Sequence, residues 1–148
     1  MEVHDSVSTI LKWKGGPTWS IAPEATVYEA LETMASKEIG SLVVMAGESF
    51  VGLLSERDYA RKIILKGRSS RETRVGEIMM SPPITVSSDC SVEQAMRTMT
   101  EHRVRHLPVI AANGTLLGIV SIGDLVKWII TSQEKTIEQL HSYISGQV

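Results

Sequence analysis

A seven-residue phrase written twice constrains this chain more than any other feature. GLLSERD occupies residues 52–58 and GIVSIGD residues 118–124, each with a glycine, a short apolar run, a serine and an aspartate three places after it. A shift of 65 places lays Val27, Ala30 and Met34 on Val92, Ala95 and Met99, and Leu42 and Val44 on Leu107 and Val109. One added residue near Asn113–Thr115 changes the shift to 66, and Gly52, Ser55, Asp58 and Ile63 then fall on Gly118, Ser121, Asp124 and Ile129. The insertion lies in a turn, where added length costs little. Matching over most of each half makes the chain a duplication, so both halves must fold the same way.

Each half predicts the order β-α-β-β-α. Thr26 and Ser91 have the character of helix N-caps, with Glu29 and Gln94 three residues on completing a capping box. The helices that follow place Val27/Ala30/Leu31/Met34 and Val92/Ala95/Met96/Met99 on one face. SLVVM and HLPVI suit buried strands, FVGLLS and LLGIVS give second strands, and WSIA and PITVS short leading ones. Helical spacing returns over Glu56–Lys66, burying Tyr59, Ile63 and Ile64, and over Ile122–Ser132, burying Leu125, Ile129 and Ile130. This divides the chain into repeat 1 at 8–66, a linker at 67–78, repeat 2 at 79–132 and a C-terminal helix at 133–148. The flanks VSTILKW and KTIEQLHSYI carry apolar residues at helical spacing but are too short to stand alone, so they should dock on the core or on a second copy.

The totals exclude several classes of function. A 43% hydrophobic and 22% charged chain with net charge −2 is ordinary for a soluble globular protein. That balance gives no reason to expect nucleic acid or an anionic membrane as partner. No apolar run approaches the ~20 residues that span a bilayer, and the first residues lack a secretory pattern. One cysteine, Cys90, fits a reducing compartment. The cytoplasm is expected, or an organellar matrix after removal of a transit peptide.

The two G-h-h-S-x-x-D phrases, the RHLPV strand at 105–109 and IMMSPPITV at 78–86 resemble the CBS-domain pair, the tandem module named after cystathionine β-synthase. SERDYARKII and SIGDLVKWII come close to its most typical wording, and the likeness covers residues 8–132. It implies a mixed α/β (α+β) fold of two repeats about a pseudo-twofold axis, with clefts that hold an adenosine ligand. AMP comes first among these, with ATP, ADP, NAD(H) and S-adenosylmethionine as alternatives. It also implies a homodimer and a regulatory, non-enzymatic role signalled to a protein effector in trans.

Read against that chemistry, Asp58 and Asp124 each offer two carboxylate oxygens to the adjacent hydroxyls of a ribose. A helix start beside them presents unpaired N–H groups and a positive dipole end to phosphate. Ser55 and Ser121 add hydroxyls, and Gly52 and Gly118 should relieve crowding between strand and ligand. By the family's pattern, Ser55, Arg57 and Asp58 are completed by Ile84, Thr85 and Val86 and by Val104, Arg105 and His106. Ser121 and Asp124 are completed by Ile21, Ala22 and Ala25 and by Ile39, Gly40 and Ser41, with Pro108 and Ile119 alongside and His106 as a shared neighbour. Arg57 and Arg105 bias the first cleft toward phosphate charge. Ile122 and Gly123 replace Glu56 and Arg57 in the second, and GSLVV replaces RHLPV in the first half.

Plainer readings compete. S-x-x-D before an apolar helix is itself a capping signature. His102 and His106 stand four apart, but a strand begins between them, so no metal is expected. The basic run Lys62, Lys66, Arg68, Arg71 and Arg74 is that of a solvated face, the methionines read as core packing, and no nucleophile–base set appears. The alternative function is a dimerising scaffold with vestigial pockets.

Overall fold

The computed structural model describes residues 4–144; residues 1–3 and the last four of the expected C-terminal helix, 145–148, lie outside the described range. The chain divides into two compact units, one continuous (17–84) and one split (1–16 with 85–148).

The continuous unit holds β1 (Ser20–Ile21), α2 (Val27–Lys37), β2 (Ser41–Ala46), β3 (Ser49–Ser55), α3 (Glu56–Tyr59) and α4 (Val75–Ile78). The split unit holds α1 (Val7–Lys14), β4 (Val86–Ser87), α5 (Val92–His102), β5 (His106–Ile110), β6 (Leu116–Ser121) and α6 (Ile122–Ile144). Each has a three-stranded sheet, β1-β2-β3 or β4-β5-β6, whose first pair is parallel and second antiparallel. The β-α-β-β-α order expected from the duplication is therefore present twice.

Local chemistry accounts for the elements. Thr26 and Ser91 accept from the N–H groups of Glu29 and Gln94, whose side chains accept in return from the cap N–H groups. The continuous unit buries Val27, Ala30 and Met34 of α2 against Leu42, Val44, Leu54 and Ile63. The split unit buries the matching Val92, Ala95, Met99, Leu107, Val109 and Val120. Leu31 and Met96 lie at the margin of these cores, half-buried.

The duplication also extends into the flanks, with a third shift that the repeat alignment conceals. Val7 N–H donates to Cys90 O at 2.8 Å, as Val75 N–H donates to Ala25 O at 2.8 Å. Val92 N–H donates to Asp5 O at 2.9 Å, as Val27 N–H donates to Thr73 O at 2.8 Å. The N-terminal helix α1 thus packs in the unit of repeat 2, and the linker helix α4 packs in the unit of repeat 1. Each inserts a V-x-x-I pair, Val7/Ile10 or Val75/Ile78, into its core.

Three expectations need correction. The helix expected over 56–66 turns from α-helix to π-helix at Ala60–Ile64, and Ile64 is 57% and Leu65 76% exposed. A lysine lies inside that turn. In α6 the buried position is Trp128, 3% exposed; the aligned residue is Lys62, whose charge resists burial. The extra residue of the π turn rotates Ile63 inward and sends Lys62 to the rim. Second, α6 runs unbroken from Ile122 through Ile144, with no boundary near residue 133, and Ile130 is 50% exposed rather than buried. Third, Gly52 makes room for the protein's own chain. A Cβ there would meet Met79 Sδ at 2.7 Å and Met80 O at 2.9 Å. Met80 is held by reciprocal backbone bonds with Leu53. Gly52→Ala should therefore lower stability by about 1–3 kcal/mol, the range for overpacking. Chemical denaturation checks this, and an unchanged midpoint contradicts it.

Candidate functional site

Each repeated phrase forms a strand-to-helix junction. Ser55 ends β3 and Ser121 ends β6, and the aspartate three residues on closes back over the serine. Ser55 N–H donates to Asp58 Oδ2 at 2.9 Å, Ser55 Oγ donates to the same oxygen at 3.0 Å, and Asp58 N–H donates to Ser55 Oγ at 3.2 Å. Ser121 N–H donates to Asp124 Oδ2 at 2.8 Å, and Asp124 N–H donates to Ser121 Oγ at 3.1 Å. The capping reading of S-x-x-D is thus correct in both copies. It leaves a carboxylate lodged in the first helical turn, with side chains 13% exposed at Asp58 and 23% at Asp124.

Both acids carry a lysine, and neither lysine was singled out for this role in the sequence. Lys62 Nζ lies 3.4 Å from Asp58 Oδ1 and donates to Ile78 O at 2.8 Å. Its position four residues after Asp58 on a helix was a legible signal. Lys14 Nζ, at the end of α1, lies 2.7 Å from Asp124 Oδ2 and donates to Ile119 O at 2.8 Å. No local spacing announces a contact across that length of chain. Burial pushes the Asp124 pKa upward, but the bonds from Lys14 and Ser121 outweigh it, and the carboxyl titrates below its ordinary 3.8.

The other expected residues divide between the two units. In the continuous unit, Ser41 pairs with Ser55, Gly40 O accepts from Glu56 N–H, and Ile39 leads into β2. Ile21 lies in β1, and Ala22 O accepts from Ala25 N–H in the turn before α2. Arg57 is half-buried in α3. Ile84 closes that unit and Thr85 opens the next segment of the other. In the split unit, Val86 pairs with Val109, Pro108 with Ile119 and His106 with Ser121, while Arg105 O accepts from Ile122 N–H and Val104 N–H donates to Met99 O.

His106 therefore sits beside Ser121 and within electrostatic reach of Asp124, Lys14 and Arg105. Burial is the main influence on its imidazole, lowering the pKa below 6.5; Asp124 works to raise it and the two cations to lower it. His102 is on a different element, the exposed last residue of α5. Among the described residues no group of three His, Cys, Asp or Glu side chains is placed to hold a metal ion. No helix among them is long and apolar enough to cross a membrane.

The His106 environment has a consequence for stability. A base whose folded pKa is depressed binds fewer protons folded than unfolded, so its contribution is complete above pH 6.5 and is lost as acid charges it. Stability should fall as pH is lowered from 7.5 toward 5.5, and His106→Gln should flatten that slope. Denaturation midpoints across the range test this; an identical slope in the variant contradicts it.

Comparison with known proteins gives the same architecture. The CBS-domain family model matches residues 17–65 and again 75–131. CBS domain-containing protein CBSX3, mitochondrial, of Arabidopsis thaliana is 40% identical over 150 residues, covering 95% of this chain and 72% of that protein. Bacillus subtilis CBS domain-containing protein YhcV is 32% identical, covering 72% of this chain and 74% of its own length. A solved structure described as a candidate signal-transduction protein with CBS domains, from Burkholderia ambifaria MC40-6, superposes with a TM-score of 0.82. It shares 45% identity and covers 86% of this chain and 96% of its own. With two matched repeats and two copies of one sheet-and-helix motif, the chain belongs to the CBS-domain family as a tandem pair.

Proposed function

We propose that this CBS pair is a regulatory sensor that binds an adenosine nucleotide, AMP foremost, at the junctions carrying Asp58 and Asp124, and reports occupancy to a protein partner in trans. One observation carries this reading. The molecule twice builds a carboxylate into the first turn of a helix, part-buried, beside a serine and facing a cation. A diol donates naturally to such a carboxylate, and the adjacent helix start favours phosphate. ATP, ADP, NAD(H) and S-adenosylmethionine share the adenosine and are the other candidates; Arg57 favours the more highly charged among them at Asp58. The family's regulatory character supports a role without catalysis. The cytoplasm or an organellar matrix is the proposed setting, the latter in line with the mitochondrial name of the Arabidopsis relative.

The scaffold reading draws on a separate observation. Val126, Ile130, Ile137, Leu140 and Ile144 are all exposed along α6. A second copy of the chain is the occupant that the family resemblance implies, and dimerisation is compatible with sensing.

Titration calorimetry with AMP, ATP and NADH on protein freed of carried-over ligand separates the two. Asp58→Ala and Asp124→Ala should each weaken binding at their own site by about 1–3 kcal/mol, the scale of a hydrogen bond to a charged group. Thermal unfolding of the same variants reports the loss of the cap independently. Arg57→Ala should weaken ATP more than adenosine. Absence of heat with every nucleotide, or unchanged affinity in both aspartate variants, leaves the phrases as caps and favours the scaffold.

A further inference from the structure

The carboxylate proposed to grip a ribose in the split unit already has an occupant from a distant part of the chain. Lys14 is the last residue of α1, and its Nζ engages both Asp124 Oδ2 and Ile119 O. Ser121 N–H uses that same Oδ2. A ribose diol needs both carboxylate oxygens, so sugar and ammonium compete for one of them.

The two ends of α1 are held differently. Its first turn is fixed by backbone bonds from Val7 and Ser8 to Cys90 and Ser88 and by the burial of Val7 and Ile10. Its last turn rests on Lys14 and on Trp13, which meets the Trp128 ring edge-on at 5.1 Å between centroids. Immediately beyond, Gly15 and Gly16 take positive φ values of 59° and 80°, a turn that side chains would resist. In the continuous unit the lysine is Lys62, which lies on the same helical segment as Asp58 and donates to Ile78 O at the end of α4, so its release would bear on α4 and not on α1.

We infer that Lys14 is an internal latch: it holds Asp124 closed until a ribose displaces it, and its release frees the last turn of α1. This rests on the nucleotide reading above. It makes the Asp124 site alone, of the two, a switch for the N-terminal helix. Because the site is competent only when unlatched, the latch lowers its apparent affinity. By reciprocity, whatever holds the end of α1 in place weakens the ligand.

Adenosine, which has no phosphate for Lys14 to attract, is the probe. It is titrated into an Asp58→Ala background, leaving the Asp124 site, and into the same background with Lys14→Met, which keeps the apolar stem and removes the charge. Affinity should rise about two- to fivefold with Lys14→Met, the upper part of the range for a partly exposed ion pair. Hydrogen exchange provides a second readout. Asp124→Asn keeps an acceptor for Ser121 N–H but loses the charge, and should speed exchange at Trp13–Gly15; adenosine should do the same to the otherwise unmodified protein. Unchanged or weaker adenosine binding in the Lys14→Met variant, or an α1 end indifferent to both Asp124→Asn and adenosine, overturns the latch while leaving the nucleotide reading intact. Failure of adenosine and AMP to bind even the unmodified protein overturns the nucleotide reading and the latch with it.

Discussion

Everything at the two junctions depends on an acid that must satisfy the N–H of the serine leaving the strand. A helix that starts directly from a strand has N–H groups with no partner in either element, and an Asp three residues on is within reach of them. Asp58 and Asp124 do this with one oxygen, Oδ2. The carboxylate is thereby fixed in place rather than swinging in solvent. Capping is the use the structure shows, and the proposed grip on a diol draws on the same geometry.

The duplicated frame has diverged in how it supplies the counter-charge. The position buried as Trp128 in α6 is Lys62 in the other repeat, and the π turn at Ala60–Ile64 accommodates that exchange. With Lys62 turned to the rim, Asp58 has a cation from its own helix. With Trp128 inside, the lysine before it, Lys127, lies over the Trp13 ring, and α1 provides Lys14 to Asp124 instead. Trp128 also donates through Nε1 to Asp5 at 3.1 Å, fastening the approach to α1. Two units of one ancestry thus place similar charges by different routes, one lysine linking Asp58 to the end of α4 and the other linking Asp124 to the end of α1.

Much of this was legible in the residues. Capping boxes, strand runs and buried stripes are local, and local chemistry decides them, so β5 covers HLPVI and β6 covers LLGIVS as the sequence suggests. The relation of α1 to α4 was hidden because the two share little beyond V-x-x-I, and the bonds that align them come from backbone, which any residue supplies. Lys14 was hidden because a long-range ion pair leaves no periodic trace. Gly52 was assigned to ligand clearance when Met79 and Met80 require the space, since a glycine announces a close approach without naming what approaches. Ile64 and Ile130 fit an apolar periodicity but face outward, because a stripe wider than the core leaves its margin exposed.

The central claim is that the carboxylates of both junctions meet the ligand. Backbone amide chemical-shift mapping during an AMP titration tests it most directly. The account predicts the largest saturable shifts at Ser55, Asp58, Ser121 and Asp124 and the residues paired to them across the strands. Saturable shifts concentrated elsewhere, with these four amides unmoved, would contradict it.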